Sequence, residues 1–160
     1  MSTAEEQGFW SFALTFYQHP EHQQRLLALQ DEGGLDVCFV LLALWHGHLH
    51  SGHWVDLFHQ SKPLRDELAE LRQLRRRNKQ RWSDDSYYQQ LKMAELSLEK
   101  ILYLQLGAAA LALSTRSNQA LHRQQSLEDL LAHYHSPDSA TGGAKFSENQ
   151  TILTLLTPRE

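Results

Sequence analysis

The chain has 160 residues, a formal net charge of −4, 41% hydrophobic residues and one cysteine. That length makes one domain with room for a hydrophobic core, and mild acidity argues against a chain that binds polyanions over its whole surface. The lone cysteine, Cys38, excludes an intrachain disulfide and fits a reducing compartment.

Met1 to Gln7 is polar and acidic, without the basic-then-apolar order of a secretory signal. The longest uncharged apolar-rich runs, 37–45 and 101–113, fall short of the roughly 20 residues that span a bilayer. A soluble cytoplasmic protein with no membrane partner is expected.

Residues 8–18 place Phe9, Trp10, Phe12, Ala13, Leu14, Phe16 and Tyr17 at helical spacings, giving a wide apolar face. His19-Pro20 ends that helix, since a residue before proline avoids the helical region, and Pro20 suits the first turn of the next. The second helix runs to about Asp31 with Leu26, Leu27 and Leu29 inward, and stops at Gly33-Gly34. From Val37 to Trp45 no side chain is polar except the Cys38 thiol. A segment apolar on every side has to be surrounded on every side, so a buried central helix is predicted at about 35–46, with Asp36 near its positive end.

His46-Gly47-His48-Leu49-His50-Ser51-Gly52-His53 reads as a turn. A helix resumes at Trp54, with Val55 and Phe58 apolar. Pro63 interrupts it and Ser61 caps the restart. Leu64, Leu68, Leu71 and Leu74 then form one buried stripe. Ser83-Asp84-Asp85 opens the longest helix, reaching Leu113, with Tyr87, Leu91, Ala94, Leu98, Ile101, Gln105 and Ala108 in a 4,3 repeat and a bend permitted at Gly107. Ser117 or Asn118 caps a last helix to about Tyr134, with Ser126 and Asp129 permitting a break. The domain is expected over 1–135, a linker over 136–147, and a tail over 148–160 with Ile152, Leu153, Leu155 and Leu156 able to form a short docking helix. No strand pairing pattern occurs, so the class is all-α: a single-domain bundle of about six helices around the central one.

Phe9-Trp10-x-Phe12-Ala13-Leu14-x-x-Tyr17-x-x-Pro20 and Leu26-Leu27-x-Leu29-Gln30-Asp31-x-x-Gly34-Leu35-Asp36-Val37 resemble the two opening blocks of a proteobacterial family of uncharacterised small helical proteins. Pro63-Leu64-Arg65 and Leu91-Lys92-x-x-Glu95-Leu96-x-x-Glu99 are similar to its later blocks. The resemblance spans roughly residues 8–112. It implies a cytoplasmic helical protein, and it supplies no catalytic residue.

Three groups of side chains suggest chemistry. His46, His50 and His53 fall at i, i+4 and i+7, one face of a continued helix, and imidazoles so placed bind zinc or nickel. The alternative is a polar turn in a histidine-rich chain, and no cofactor is expected on that reading. Residues 62–82 carry eight cations against three carboxylates, net +5 within a −4 chain. Arg72, Arg75, Arg76, Arg77, Lys79 and Arg81 could meet nucleic-acid phosphates, with Trp82, Tyr87 and Tyr88 near for stacking; a solvated helix end accounts for the same charges. Asp36 is expected to be structural, with Arg65 as its candidate partner. No serine elbow or phosphate-binding glycine loop is present, and a buried Cys38 makes a poor nucleophile. The expected function is therefore a non-enzymatic adaptor or regulatory module that binds another protein. The alternatives are a nucleic-acid or ribosome-associated protein using 72–82 and a metal-binding protein or enzyme using the histidine turn.

Overall fold

The computed structural model describes residues 4–81, 85–117 and 119–134. Six helices occur in this order: α1 (Ala4–Gln18), α2 (Pro20–Asp31), α3 (Val37–His46), α4 (Ser51–Arg81), α5 (Asp85–Leu113) and α6 (Ala120–Tyr134). The class is all-α, with no strand among the described residues. The linker and tail expected beyond residue 135, and the caps expected at Ser83 and Asn118, lie outside the described residues.

α3 is the core element. Every residue from Cys38 to His46 is buried, and helices α1, α2, α5 and α6 all pack against it. Rings complete the sheath. Phe9 of α1 stacks on Tyr103 of α5 at 5.1 Å and meets Trp45 at 5.2 Å. Phe39 stacks on Phe58 of α4 at 4.0 Å. α2 hands over to α3 through Gly34 at φ 68°, a left-handed position that suits glycine. The Leu35 amide reaches back to the Leu29 carbonyl at 3.0 Å, giving one of the last carbonyls of α2 a donor from beyond the turn.

The exit from α3 is wired to the α5–α6 connection. The last carbonyls of a helix have no donor of their own. Here Arg116 Nε donates to Trp45 O at 2.9 Å and the Ser117 amide donates to His46 O at 2.9 Å. Gly47 turns the chain at φ 68°. Further along, the Leu49 amide donates to Ser126 Oγ at 2.7 Å, and Trp54 Nε1 donates to the Ser126 carbonyl at 3.2 Å. Ser126 therefore joins α6 to the loop instead of breaking its own helix.

Several expectations need correcting. α1 begins at Ala4, a turn earlier than residue 8, because the residue types at 4–7 are good helix formers. α4 begins at Ser51 and runs unbroken through Pro63, which makes it, at 31 residues, longer than α5 at 29. Proline removes the donor that His59 O would have used. The turn before it is held by side chains: Ser61 Oγ donates to Leu57 O at 2.7 Å, Arg65 Nη2 donates to Phe58 O at 2.8 Å, and Arg65 Nε donates to Ser61 Oγ at 3.0 Å. Ser61 thus bonds backwards within a helix rather than capping a new one. α5 continues through Gly107 without a break in the helix.

Three faces are also turned differently. Leu27 on α2 and Leu74 on α4 are exposed, whereas Leu26, Leu29 and Leu68 are buried. On α5 the buried series is Leu91, Leu102, Leu106 and Ala110, with Tyr103 and Gly107 beside it. Ala94, Ile101 and Gln105 of the expected repeat face outward. Unequal neighbours on the two sides of α5 rotate its buried stripe, and a repeat in sequence does not contain that information. By length and composition α5 is also the one described helix able to cross a membrane.

Candidate binding cleft

A cleft of about 850 Å³ opens where α1 and α2 face α4 and α5. Its floor is the start of α3, Leu35 to Cys38. One wall carries Trp10, Leu14, Tyr17 and Leu27; the other carries Arg65, Arg72, Arg75 and Arg76 with Glu95, Leu96 and Glu99. Tyr103 and Tyr134 reach it from α5 and α6. The helical repeat explains the polar wall: Arg72 and Arg75 are one turn apart on α4, Glu95 and Glu99 one turn apart on α5. Arg72 Nε meets Glu95 at 3.2 Å and its Nη2 meets Glu99 at 3.5 Å. Arg75 pairs with Glu95 and donates to Tyr88 Oη at 3.2 Å.

The floor holds protonated groups. Asp36 occupies the N-cap position of α3, but its carboxylate makes no capping bond; it accepts from Cys38 Sγ at 3.4 Å. The Asp36 amide donates to Tyr134 Oη at 2.9 Å. Burial, with Asp36 close by, pushes the Cys38 thiol well up, so the sulfur stays neutral and a poor nucleophile. Burial likewise raises Tyr103, reinforced by Cys38, Glu99 and Asp36. Glu99 is raised by burial, and the nearby Arg72 offsets part of this. The site can offer a neutral thiol and phenolic hydroxyls below, apolar contact on one side and guanidinium groups paired with carboxylates on the other.

The residues singled out from the sequence are distributed as follows. Asp36 and Arg65 both line the cleft, yet no ion pair joins them among the described residues; Arg65 is held by its own helix and lies over the Phe39 and Phe58 rings at 5.2 and 5.1 Å. Of the six basic residues, Arg72 and Arg75 are engaged by Glu95 and Glu99, and Lys79 lies over Tyr88 at 5.9 Å. The three histidines do not share a helix face, because α3 ends at His46 and α4 begins at Ser51. His50 and His53 stack at 3.5 Å. His46 is buried elsewhere, its Nε2 on the Ser114 carbonyl at 2.8 Å. No group of three or more His, Cys, Asp or Glu side chains suited to a metal ion occurs among the described residues. Glu95, Glu99, Tyr103 and Tyr134 were not foreseen as site residues. The i, i+4 spacing of Glu95 and Glu99 opposite a basic helix was the available signal.

His46 makes stability depend on pH. A carbonyl can only accept, so Nε2 carries the proton, and Nδ1 is buried without a partner. Burial lowers the pKa of this ring, and His48 and His53 lower it further. The unfolded chain then binds the proton first as pH falls, so stability declines from about pH 6.5 downward and the loss is complete below the folded pKa. His53 and His133, also lowered by burial, act with the same sign; Glu99, raised, acts with the opposite one. Melting curves of wild type and His46→Gln at pH 7.5 and 5.5, on either side of that onset near 6.5, should show a smaller acid shift for the variant. Equal shifts would remove His46 from this role.

These features define a small all-α protein with a central buried helix and a cleft of mixed polarity at its N-terminal end. The chain belongs to a family of proteins of unknown function, DUF2390, whose model matches residues 8–106. The match takes in all the residues of the cleft except Tyr134. No curated protein and no solved structure matches the chain.

Proposed function

We propose that the protein is a non-enzymatic adaptor or regulatory module whose cleft receives an apolar segment of another protein that carries a carboxylate. The observation carrying this reading is the gathering of exposed large apolar side chains on the cleft: Leu14, Leu27 and Leu96 line it while 43%, 39% and 53% exposed. Apolar groups left in water around one concavity mark an interaction surface. Arg76 is exposed on the opposite wall and has no ion pair among the described residues, so it supports an acidic group in the partner. The neutral Cys38 thiol supports binding over nucleophilic chemistry. The proposed location is the cytoplasm; its support is a single buried thiol without a disulfide.

The test is selection of displayed peptides on the full chain and on a Leu14→Asp, Leu96→Asp variant. Both residues are exposed, so the variant should fold. Selected sequences should share apolar positions and an acid, and bind the variant about tenfold more weakly, the loss expected when central apolar contacts go. Arg76→Glu should weaken the acidic peptides selectively. Peptides that bind wild type and variant alike would refute the reading.

A further inference from the structure

Tyr134, the last described residue, lines the α3 cleft, so the chain continues from the cleft's own edge. Residues 135–147 separate it from Glu148. A linker of that length has an average span of about 20 Å and a full reach of about 45 Å, against a cleft of about 850 Å³. Beyond it, Ile152, Leu153, Leu155 and Leu156 stand at i, i+1, i+3 and i+4, the spacing of one helix face. Glu148 precedes Ile152 by four residues, and Arg159 offsets the neighbouring Glu160. Segment 148–160 is thus an apolar run with one uncompensated acid ahead of it. The cleft offers the complement. Leu14, Leu27 and Leu96 line it and are exposed, and Arg76 is exposed without an ion pair among the described residues.

We propose that residues 148–160 of this chain seat in the α3 cleft and close it to other ligands until a competitor displaces them. The inference rests on the peptide-binding reading of that cleft and names the segment that regulates it. Covering the exposed leucines with the four apolar side chains of the segment supplies affinity. Glu148 opposite Arg76 sets its direction. The tether favours this chain's own segment over one from a second copy, because a short linker holds it at an effective concentration of about 1 mM. At that concentration a segment with a Kd of about 100 µM fills the cleft about nine-tenths of the time and weakens any competitor about tenfold.

The experiment is fluorescence anisotropy of a labelled synthetic peptide of residues 148–160 with the full chain and with a full-length Leu153→Asp, Leu156→Asp variant. The variant's own segment cannot seat, so it should bind the peptide about tenfold more tightly than wild type. Adding Leu14→Asp and Leu96→Asp should remove that binding. Equal affinity for wild type and the tail variant, or no binding to the tail variant, would overturn the proposal. In both cases, displayed peptides that still require Leu14 and Leu96 keep the cleft reading. Peptide binding that survives Leu14→Asp with Leu96→Asp overturns both. Should the tail variant fail to fold, Glu148→Arg opens the cleft more mildly. It should bind the wild-type peptide about threefold more tightly than wild type does, the effect of one exposed charge pair, and unchanged affinity would overturn the proposal. Light scattering should find wild type and tail variant in the same oligomeric state. A dimer lost in the tail variant would place the segment on a second copy and overturn the intramolecular contact.

Discussion

Truncating Phe39 to alanine is expected to remove about 3–5 kcal/mol of stability, the range for deleting a fully buried aromatic ring. The ring is inaccessible to solvent. It stacks on Phe58 at 4.0 Å, meets Trp54 edge-on at 6.2 Å and lies beneath Arg65. Its loss therefore opens a void between α3 and α4 and takes one of the two platforms from the guanidinium that steadies the turn before Pro63. Phe39→Leu should cost less, because part of the volume is kept. Urea denaturation is the measurement: the midpoint should fall while the slope stays constant. A loss below about 1 kcal/mol, typical of surface substitutions, would mean that the α3–α4 contact is not part of the cooperative core.

Gly47→Ala should cost about 3 kcal/mol, from two causes acting at one atom. At φ 68° an alanine is strained, and its Cβ would stand 2.5 Å from the Ser117 carbonyl oxygen and 2.8 Å from Arg123 Cγ. The arginine can move; the backbone oxygen belongs to the segment that supplies donors to the end of α3. Gly34→Ala is the internal control. It has the same φ of 68° with nothing near its Cβ, so only the conformational term, about 1 kcal/mol, should appear. For a chain of this size a loss of about 3 kcal/mol lowers Tm by roughly 6–12 °C. Equal melting temperatures for the two variants would show that the packing of Gly47 against Ser117 contributes nothing.

Both results bear on how the cleft is held. Phe39 and Gly47 secure the two ends of α3: the first locks its start against α4, the second lets its end receive the α5–α6 connection. The start of α3 is the cleft floor, so the placing of Cys38 beside Tyr103 and below the Arg72–Glu99 pair depends on a helix clamped at both ends. That also explains why the histidine turn is structurally busy. His46 and its surroundings satisfy helix-end carbonyls, and only His50 and His53 are left side by side.

The central helix was legible in the sequence because nine consecutive residues without a charge leave no face for water, whatever the surrounding fold. The boundaries of α2 were legible for the same local reason: Pro20 and Gly33-Gly34 restrict the backbone directly. Cys38 could be read as a buried thiol from its place in that run. Only the tertiary structure decided the rest. Pro63 stays inside α4 because Arg65 and Ser61 bind the carbonyls of the preceding turn. Leu27 lies on the cleft wall because α2 meets α3 with Leu26 and Leu29. Arg72 and Arg75 face carboxylates rather than open solvent because α5 returns antiparallel to α4. Local conformation depends on neighbours along the chain, and the sequence carries those in order. The cleft is made by side chains from α1, α2, α3, α4 and α5 with Tyr134 of α6, and their convergence depends on how the helices rotate as they pack.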